Sequence, residues 1–293
     1  MAERDSSAGL PVPEQFTDRN LSGARFHEVL LTGASFEQVR LNDARFRMVR
    51  FDGTAFQNIS WRGVTMKSVE LVDVEISGDV WNVIVNGVDI GPLINAELNR
   101  RDPERHLIWP DDAEGATLAG LRAGWEVVSG RWARTIGRVR AMPEGSEHRS
   151  INGEWSLVQT LRHVSYALAA WVERVAMGRE RPFVPTDLPW DEGPASAWPE
   201  GAVGRDVEVP LDEAVAQWER RRDTVRDLLA GLSDEEYRTR RVEATSPGYP
   251  QVEDFPLREA LFVAVSEAWE HHRFATRDLD ILQAEVDGAG AAT

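Results

Sequence analysis

The chain has 293 residues, of which 42% are hydrophobic and 28% are charged. This length and composition are typical of a globular protein of about two domains and exclude a disordered or fibrous chain. The formal net charge of −16 disfavours direct nucleic-acid binding, because an acidic surface repels the phosphate backbone. Cysteine is absent, which excludes disulfides, thiolate metal ligands and a cysteine nucleophile.

The sequence indicates neither a signal peptide nor a membrane segment. Residues 1–15 lack the basic-then-apolar pattern of a signal peptide. No apolar run approaches the roughly 18 residues that a membrane-spanning helix needs. We therefore expect residues 1–15 to be a flexible tail, and the protein to be cytoplasmic and without a membrane partner.

A repeat with a period of five follows this tail. The large apolar residues at every fifth position are Phe16, Leu21, Phe26, Leu31, Phe36, Leu41, Phe46, Phe51, Phe56, Trp61, Met66, Leu71, Ile76 and Trp81. From Ala24 onward, the residue two positions before each of them is small or β-branched. A period of five fits neither a helix nor a strand. It fits a square solenoid in which each unit forms one side, with the large residue inside and the small one in the corner.

The repeat resembles the pentapeptide-repeat family, whose pattern is A(D/N)LXX. Ala24-Arg25-Phe26 and Ala34-Ser35-Phe36 match this pattern, with a degenerate middle residue. The resemblance implies a right-handed quadrilateral β-helix over residues 16–90. It also implies a scaffold or docking face for a protein partner. Mimicry of DNA is disfavoured, because the repeat is short and the acidic excess lies mainly in the rest of the chain.

Residues 91–112 are predicted to join two domains. A short helix from Leu93 to Arg101 is expected to cap the open end of the solenoid, as solenoids require. Asp102-Pro103 and the segment from Trp109 to Asp112 contain turn residues and are predicted to be a linker.

After residue 112 the apolar period changes to 3.6, which predicts amphipathic helices. The predicted helices are 118–139, 154–178, 211–232 and 256–279, with a short extra turn at 233–236. The fourth is expected to begin at Pro256, a favoured first helical residue. These helices predict a four-helix bundle over residues 113–283 with a long crossover between the second and third helices. Residues 284–293 are predicted to be a flexible tail.

Three side chains of the bundle are candidates for a metal site. His163 lies in the second helix, and Glu267 precedes His271 by four residues in the fourth, so that these two share a helix face. Two histidines and a carboxylate suit zinc, and three protein ligands leave the open position of a catalytic site. His272 is a weaker candidate, because Ala268 cannot ligate. The same spacing is also typical of a solvated ion pair, and a single helical histidine is often merely half-buried.

The bundle resembles the DinB-like superfamily. The segment from Glu154 to His163 is similar to its W-S-x-x-x-x-L-x-H signature, and residues 267–280 are similar to its fourth-helix motif. The resemblance implies a divalent metal held by His163, Glu267 and His271. Zinc is expected first, with nickel or another divalent ion as alternatives. The Glu-x3-His pair is the form found in the mycothiol-dependent maleylpyruvate isomerase branch. Pentapeptide repeats ahead of a DinB-like domain occur in actinobacterial proteins.

This resemblance implies a transferase or isomerase that uses a low-molecular-weight thiol, which would approach the metal as a ligand. Arg273 and Arg277 are predicted to meet an anionic thiol or substrate, and Tyr249 to line the site. The other candidate wall residues are Tyr166, Trp190 and Trp198, although these aromatic residues would also serve to pack loops over the bundle. No catalytic residue is predicted.

The sequence is also compatible with two other functions. The chain could be a non-catalytic adaptor with a metal-stabilised or metal-free bundle, or a metal-dependent hydrolase. The fold does not decide between them, because function belongs to the site. A homodimer is a further expectation.

Overall fold

The computed structural model describes residues 14–56, 59–78, 80, 82–110, 116–190, 193–244, 249–250 and 254–290. Several sequence-based expectations fall outside them: most of the N-terminal tail, Trp81, the linker residues Asp111 and Asp112, and the chain end after residue 290. The chain divides into two compact units, Met1–Thr65 and Met66–Thr293.

The backbone of the repeat has the period of five that the sequence predicts. For the large apolar residues from Phe16 to Ile76, the residue two positions later has a positive φ wherever the structure describes it; the set is Asp18, Gly23, Glu28, Gly33, Gln38, Asp43, Met48, Gly53, Gly63, Ser68, Asp73 and Gly78. Backbone hydrogen bonds close single turns, as from Ala24 N to Leu21 O (2.9 Å) and from Ala34 N to Leu31 O (3.0 Å). These hydrogen-bonded turns recur every ten residues, in every second unit, from Leu21 to Thr54.

Burial in the repeat differs from the predicted enclosed core. Every described residue between 14 and 78 is exposed, and no strand is formed among them. Even the large apolar residues are about half to three quarters exposed, from 46% at Leu21 to 72% at Ile76. The turns are thus local, and the quadrilateral β-helix stays a prediction.

The second unit contains the rest of the ordered elements. Its strands and helices are β1 (Ile84–Val85), β2 (Val88–Asp89), α1 (Gly91–Arg101), α2 (Leu118–Arg140), α3 (Leu157–Leu168), α4 (Leu211–Gly231), α5 (Asp234–Thr239), β3 (Arg241–Glu243), β4 (Asp254–Pro256) and α6 (Leu257–Gly290). The strands form two antiparallel hairpins, β1 with β2 and β3 with β4. The turn between β1 and β2 is Asn86-Gly87, and both residues have the positive φ that a type I′ turn requires.

Four helices form the predicted bundle. Helix α2 packs against α4 and α6, and α3 also packs against α4 and α6, so that the helices surround one core. Trp125, Trp132 and Trp218 fill its centre, with ring centroids 5.9 Å and 5.5 Å from Trp218. The indole N–H of Trp132 donates to the carbonyl of Ala268 (2.9 Å), which satisfies its buried polar atom.

Helix α3 begins with a capping box. The Ser156 hydroxyl accepts from the Gln159 backbone, and the Gln159 side chain accepts from the Ser156 backbone. Beyond Leu168 the helix continues to Ala176 as a π-helix. Inserted π-turns are frequent near functional sites.

The start of the last helix differs from the prediction. Pro256 is the end of β4 and not the first residue of α6, because the chain is still paired there with Arg241 and the N–H of Leu257 donates to Arg240 O (2.9 Å). At its other end α6 runs to Gly290, into the segment expected to be a tail. The sequence after Leu282 has no apolar period. The Gln283 side chain donates a hydrogen bond to Asp287, one turn later (3.0 Å).

Residues 91–110 pack against the bundle. Ile108 is 2% exposed, and a Cβ added at Gly124 of α2 would come within 2.7 Å of its side chain. The ring of Trp109 contacts that of Trp269 in α6 at 6.1 Å. The segment predicted as cap and linker therefore contributes to the core. None of the helices in the described parts is long and apolar enough to cross a membrane.

Candidate metal centre

Two packed helices carry the three predicted ligands. His163 lies on α3, while Glu267 and His271 lie one turn apart on α6. The core-facing side of α6 carries Ala264 and Ala268, both fully buried, and such small residues let two helix backbones approach closely. The helix packing thus brings the three side chains together.

The ligand atoms form a compact group. One ligand atom from each of His163, Glu267 and His271 lies within 4.8 Å of the others. Glu267 Oε2 is 3.9 Å from His163 Nε2 and 3.4 Å from His271 Nδ1. The two imidazole rings are nearly parallel, with centroids 4.7 Å apart. The carboxylate therefore lies beside both rings.

Each histidine has one ring nitrogen engaged by a backbone carbonyl. His163 Nδ1 lies 2.9 Å from Leu188 O, and His271 Nδ1 lies 3.1 Å from Glu267 O. A carbonyl oxygen only accepts, so both Nδ1 atoms carry a hydrogen. Both Nε2 atoms are then lone-pair donors, as metal-ligating histidines require.

The environment of His163 keeps its ring neutral. Burial, followed by the neighbouring His271, lowers the pKa of His163 well below its ordinary value, while the Leu188 carbonyl acts against this shift. A neutral imidazole is the form that ligates a metal.

Aromatic side chains surround the three ligands. The ring of Trp155 lies 4.5 Å from that of His163 and 6.2 Å from that of His271. Tyr166 stacks near His163 at 6.3 Å and is itself in contact with Tyr249 at the same distance. Trp155 and Tyr249 are half-buried and border the site, whereas Tyr166 is 1% exposed.

Three of the four predicted wall residues belong to one cluster. Trp190 contacts Tyr249 at 4.6 Å and Tyr166 at 6.5 Å. Burial raises the pKa of Tyr249, and the negative charge of Glu267 raises it further. Trp198 is half-buried and has no ring contact with this cluster among the described residues.

The structure places the two predicted arginines on the exposed surface of α6. Arg273 pairs with Glu270 (2.7 Å), and Arg277 pairs with Asp278 (2.7 Å). Both guanidinium groups also lie over the ring of Phe274. Neither contacts the three ligands in the part of the chain that the structure describes. Their role in binding an anionic thiol stays a prediction.

The sequence alone does not assign two elements of the site. Trp155 belongs to the segment from Glu154 to His163, and its ring lies near both histidines. The Leu188 carbonyl belongs to the crossover between α3 and α4, and a backbone atom in a segment without periodicity leaves no signal in the sequence.

His272 faces a different environment from that of its neighbour His271. Its Nε2 lies 2.9 Å from Thr135 Oγ1, and its ring contacts that of Trp132 at 5.3 Å. Burial, followed by the charge of Arg131, lowers the pKa of His272 to about 4 from 6.5. His272 is therefore a neutral packing residue of the bundle.

We expect His272 to make stability depend on pH. Because its folded-state pKa is depressed, its contribution is complete above pH 6.5 and is lost as the pH falls towards 4. The loss amounts to about 3 kcal/mol. Urea unfolding of wild type and His272→Gln at several pH values measures this loss. It is the difference between the two proteins in the slope of the free energy of unfolding against pH. Equal slopes between pH 6.5 and 4 would contradict the prediction.

A four-helix bundle with two histidines and a glutamate converging between two helices defines a class of metal-binding helical domain. The sequence model of the DinB superfamily matches residues 128–275, and the chain belongs to this superfamily. The model of the pentapeptide repeats matches residues 20–58 in eight copies. No curated protein and no solved structure matches the chain. Members of the superfamily commonly bind a metal, which supports a metal-dependent function.

Proposed function

We propose that the chain is a divalent-metal-dependent enzyme in which His163, Glu267 and His271 hold zinc or a similar ion. Its reaction is the transfer or isomerisation of a small substrate with the help of a low-molecular-weight thiol of the mycothiol type. The observation that carries the proposal is the convergence of one ring nitrogen from each of two histidines and one carboxylate oxygen within 4.8 Å.

The donor set fits such an ion. Zinc lies about 2.0–2.2 Å from nitrogen and oxygen ligands, so two ligand atoms on one ion are at most roughly 4 Å apart. Side-chain rotations that shift the ligand atoms by about 1 Å would bring the three residues to that spacing. Three protein ligands leave a fourth position open, which is the catalytic arrangement. When bound, a divalent ion supplies a Lewis-acid position that lowers the pKa of a thiol or water.

The chain's own residues would prepare this position for a substrate. Trp155 packs against the ring of His163, and Trp190 packs against Tyr249, so that these side chains offer apolar faces to a substrate. The Tyr249 hydroxyl can donate a hydrogen bond to a substrate oxygen. The thiol must come from outside, because the chain has no cysteine.

The test is thiol consumption by the full chain loaded with one equivalent of zinc. Mycothiol, bacillithiol, glutathione and ergothioneine are each incubated with an electrophilic substrate, and products are followed by mass spectrometry. We expect at least one thiol to be consumed about tenfold faster than with the zinc-free protein. Turnover of an ester or amide without any thiol would support a hydrolase instead. Zinc binding without turnover of any substrate would support an adaptor.

We also propose that the repeat is a scaffold or docking module for a protein partner, and that the protein acts in the cytoplasm as a homodimer. The support for docking is the row of half-exposed apolar side chains. Phe46, Phe51, Phe56 and Trp61 are in successive edge-to-face contact at 5.7–5.9 Å. A continuous apolar row on an exposed surface is typical of an interaction site.

A further inference from the structure

A buried ion pair lies beside the candidate metal centre and takes no part in ligation. Asp187 is in the crossover, and Arg221 is on α4; both side chains are 0% exposed. Arg221 donates two hydrogen bonds to the carboxylate, at 2.7 Å and 2.8 Å, in the bidentate geometry that fixes both groups. A charged pair without solvent access persists only where hydrogen bonds offset the cost of removing both ions from water.

The pair fixes the backbone at the start of the crossover. The Asp187 carboxylate accepts from the N–H of Val184 (2.9 Å), and the N–H of Asp187 donates to Val184 O (3.0 Å), which closes a turn. Arg221 also donates to Pro182 O (3.1 Å) and to the carbonyl of Ser165 on α3. The turn is thereby tied to both α3 and α4.

The residue after this turn contacts the candidate ligand. Leu188 follows Asp187 directly and is fully buried. Its carbonyl accepts from His163 Nδ1 at 2.9 Å, and its N–H lies 3.4 Å from Arg162 O. The direction of this carbonyl depends on the peptide plane between residues 188 and 189, one residue beyond the tied turn. Asp187 thus adjoins the residue whose carbonyl is the hydrogen-bond partner of His163.

We infer that Asp187 and Arg221 are positioning residues: by holding the Leu188 carbonyl they fix the Nδ1–H tautomer of His163 and so direct Nε2 towards the metal. The role in directing Nε2 towards a metal rests on the proposed function. Partners of the non-ligating nitrogen generally set the orientation and tautomer of a ligating histidine, and their loss weakens metal binding about 10–100-fold.

The test compares two double variants. Asp187→Leu with Arg221→Met removes the pair without leaving an unpaired buried charge, which a single substitution would do. The matched control is Asp102→Leu with Arg131→Met. That pair has the same bidentate geometry, at 2.7 Å and 2.8 Å, but does not touch His163. Two-bond ¹H–¹⁵N NMR of the metal-free proteins reports the tautomer of His163, and competition with a chromogenic chelator reports zinc affinity.

We expect one Nδ1–H tautomer in wild type and in the control, and a clear Nε2–H population with at least about tenfold weaker zinc binding in the Asp187/Arg221 variant. An unchanged tautomer, an unchanged zinc affinity, or an equal loss in the control overturns the inference. A wild type that binds no zinc contradicts the proposed function. In that case the tautomer comparison on metal-free protein alone decides the positioning role.

Discussion

Replacing any one of the three candidate ligands with alanine is expected to weaken zinc binding by more than about 100-fold. Loss of a partner of a ligand already costs about 10–100-fold, and loss of the ligand itself removes a direct bond. The variants are His163→Ala, Glu267→Ala and His271→Ala. Wild type should hold about one equivalent of zinc after gel filtration, and the variants much less. Metal analysis and chelator competition measure both quantities.

The matched control for these variants is His272→Gln. His272 is adjacent to His271 and equally a histidine of α6, but its Nε2 lies beside Thr135 and its ring packs on Trp132. This variant should retain wild-type zinc affinity. Retention of zinc by all three ligand variants would contradict the metal centre. A similar loss in the control would show that the ligand variants act through the packing of α6.

Packing explains how much of the bundle is predictable from sequence. Helices α2 and α4 are amphipathic, and their apolar stripes predict their bounds to within a residue or two. The end of α6 has no core to face, so no stripe extends to Gly290. The π-helix from Ala169 to Ala176 is also absent from the prediction, because the apolar pattern of α3 runs on without a break.

The site is predictable only where side chains carry the chemistry. Residue types and spacing suggest His163, Glu267 and His271, and the family resemblance selects them from the other histidines. Their convergence depends on how α3 and α6 pack, which no local pattern contains. The ion pair of Asp187 and Arg221 joins positions 34 apart in sequence. Each of them alone has the character of a surface residue, so only the tertiary structure reveals the pair.

In the repeat, the structure shows the predicted five-residue period of the backbone but not the predicted enclosed core. The period of five predicts that each unit forms one side of a square solenoid, and the backbone repeats with that period, with a positive φ at residues such as Gly23 and Gly33. These angles depend on residues close in sequence. An enclosed core would instead need hydrogen bonds and side-chain contacts between successive coils, about twenty residues apart. The exposed apolar rows do not provide such a core.

The buried ion pair of Asp187 and Arg221 is expected to affect the stability of the bundle strongly. Arg221→Met alone is expected to lower the free energy of unfolding by about 3–5 kcal/mol, because it leaves the Asp187 carboxylate buried without its partner. Urea unfolding followed by circular dichroism at 222 nm measures the change, since the helices of the bundle dominate that signal. The exposed pair of Arg226 and Glu126, at 2.7 Å and 3.0 Å, is the control. Arg226→Met should cost less than about 1 kcal/mol.

Adding Asp187→Leu to Arg221→Met should restore most of the lost stability. A well-packed apolar pair often matches or exceeds a buried ion pair, since neither group then has to leave water as an ion. A double variant as unstable as the single one would show that the hydrogen bonds to the turn, and not the unpaired charge, set the cost. If the double variant recovers stability but not the wild-type tautomer of His163, the ion pair is needed to position His163. The pair is then not needed for the stability of the bundle.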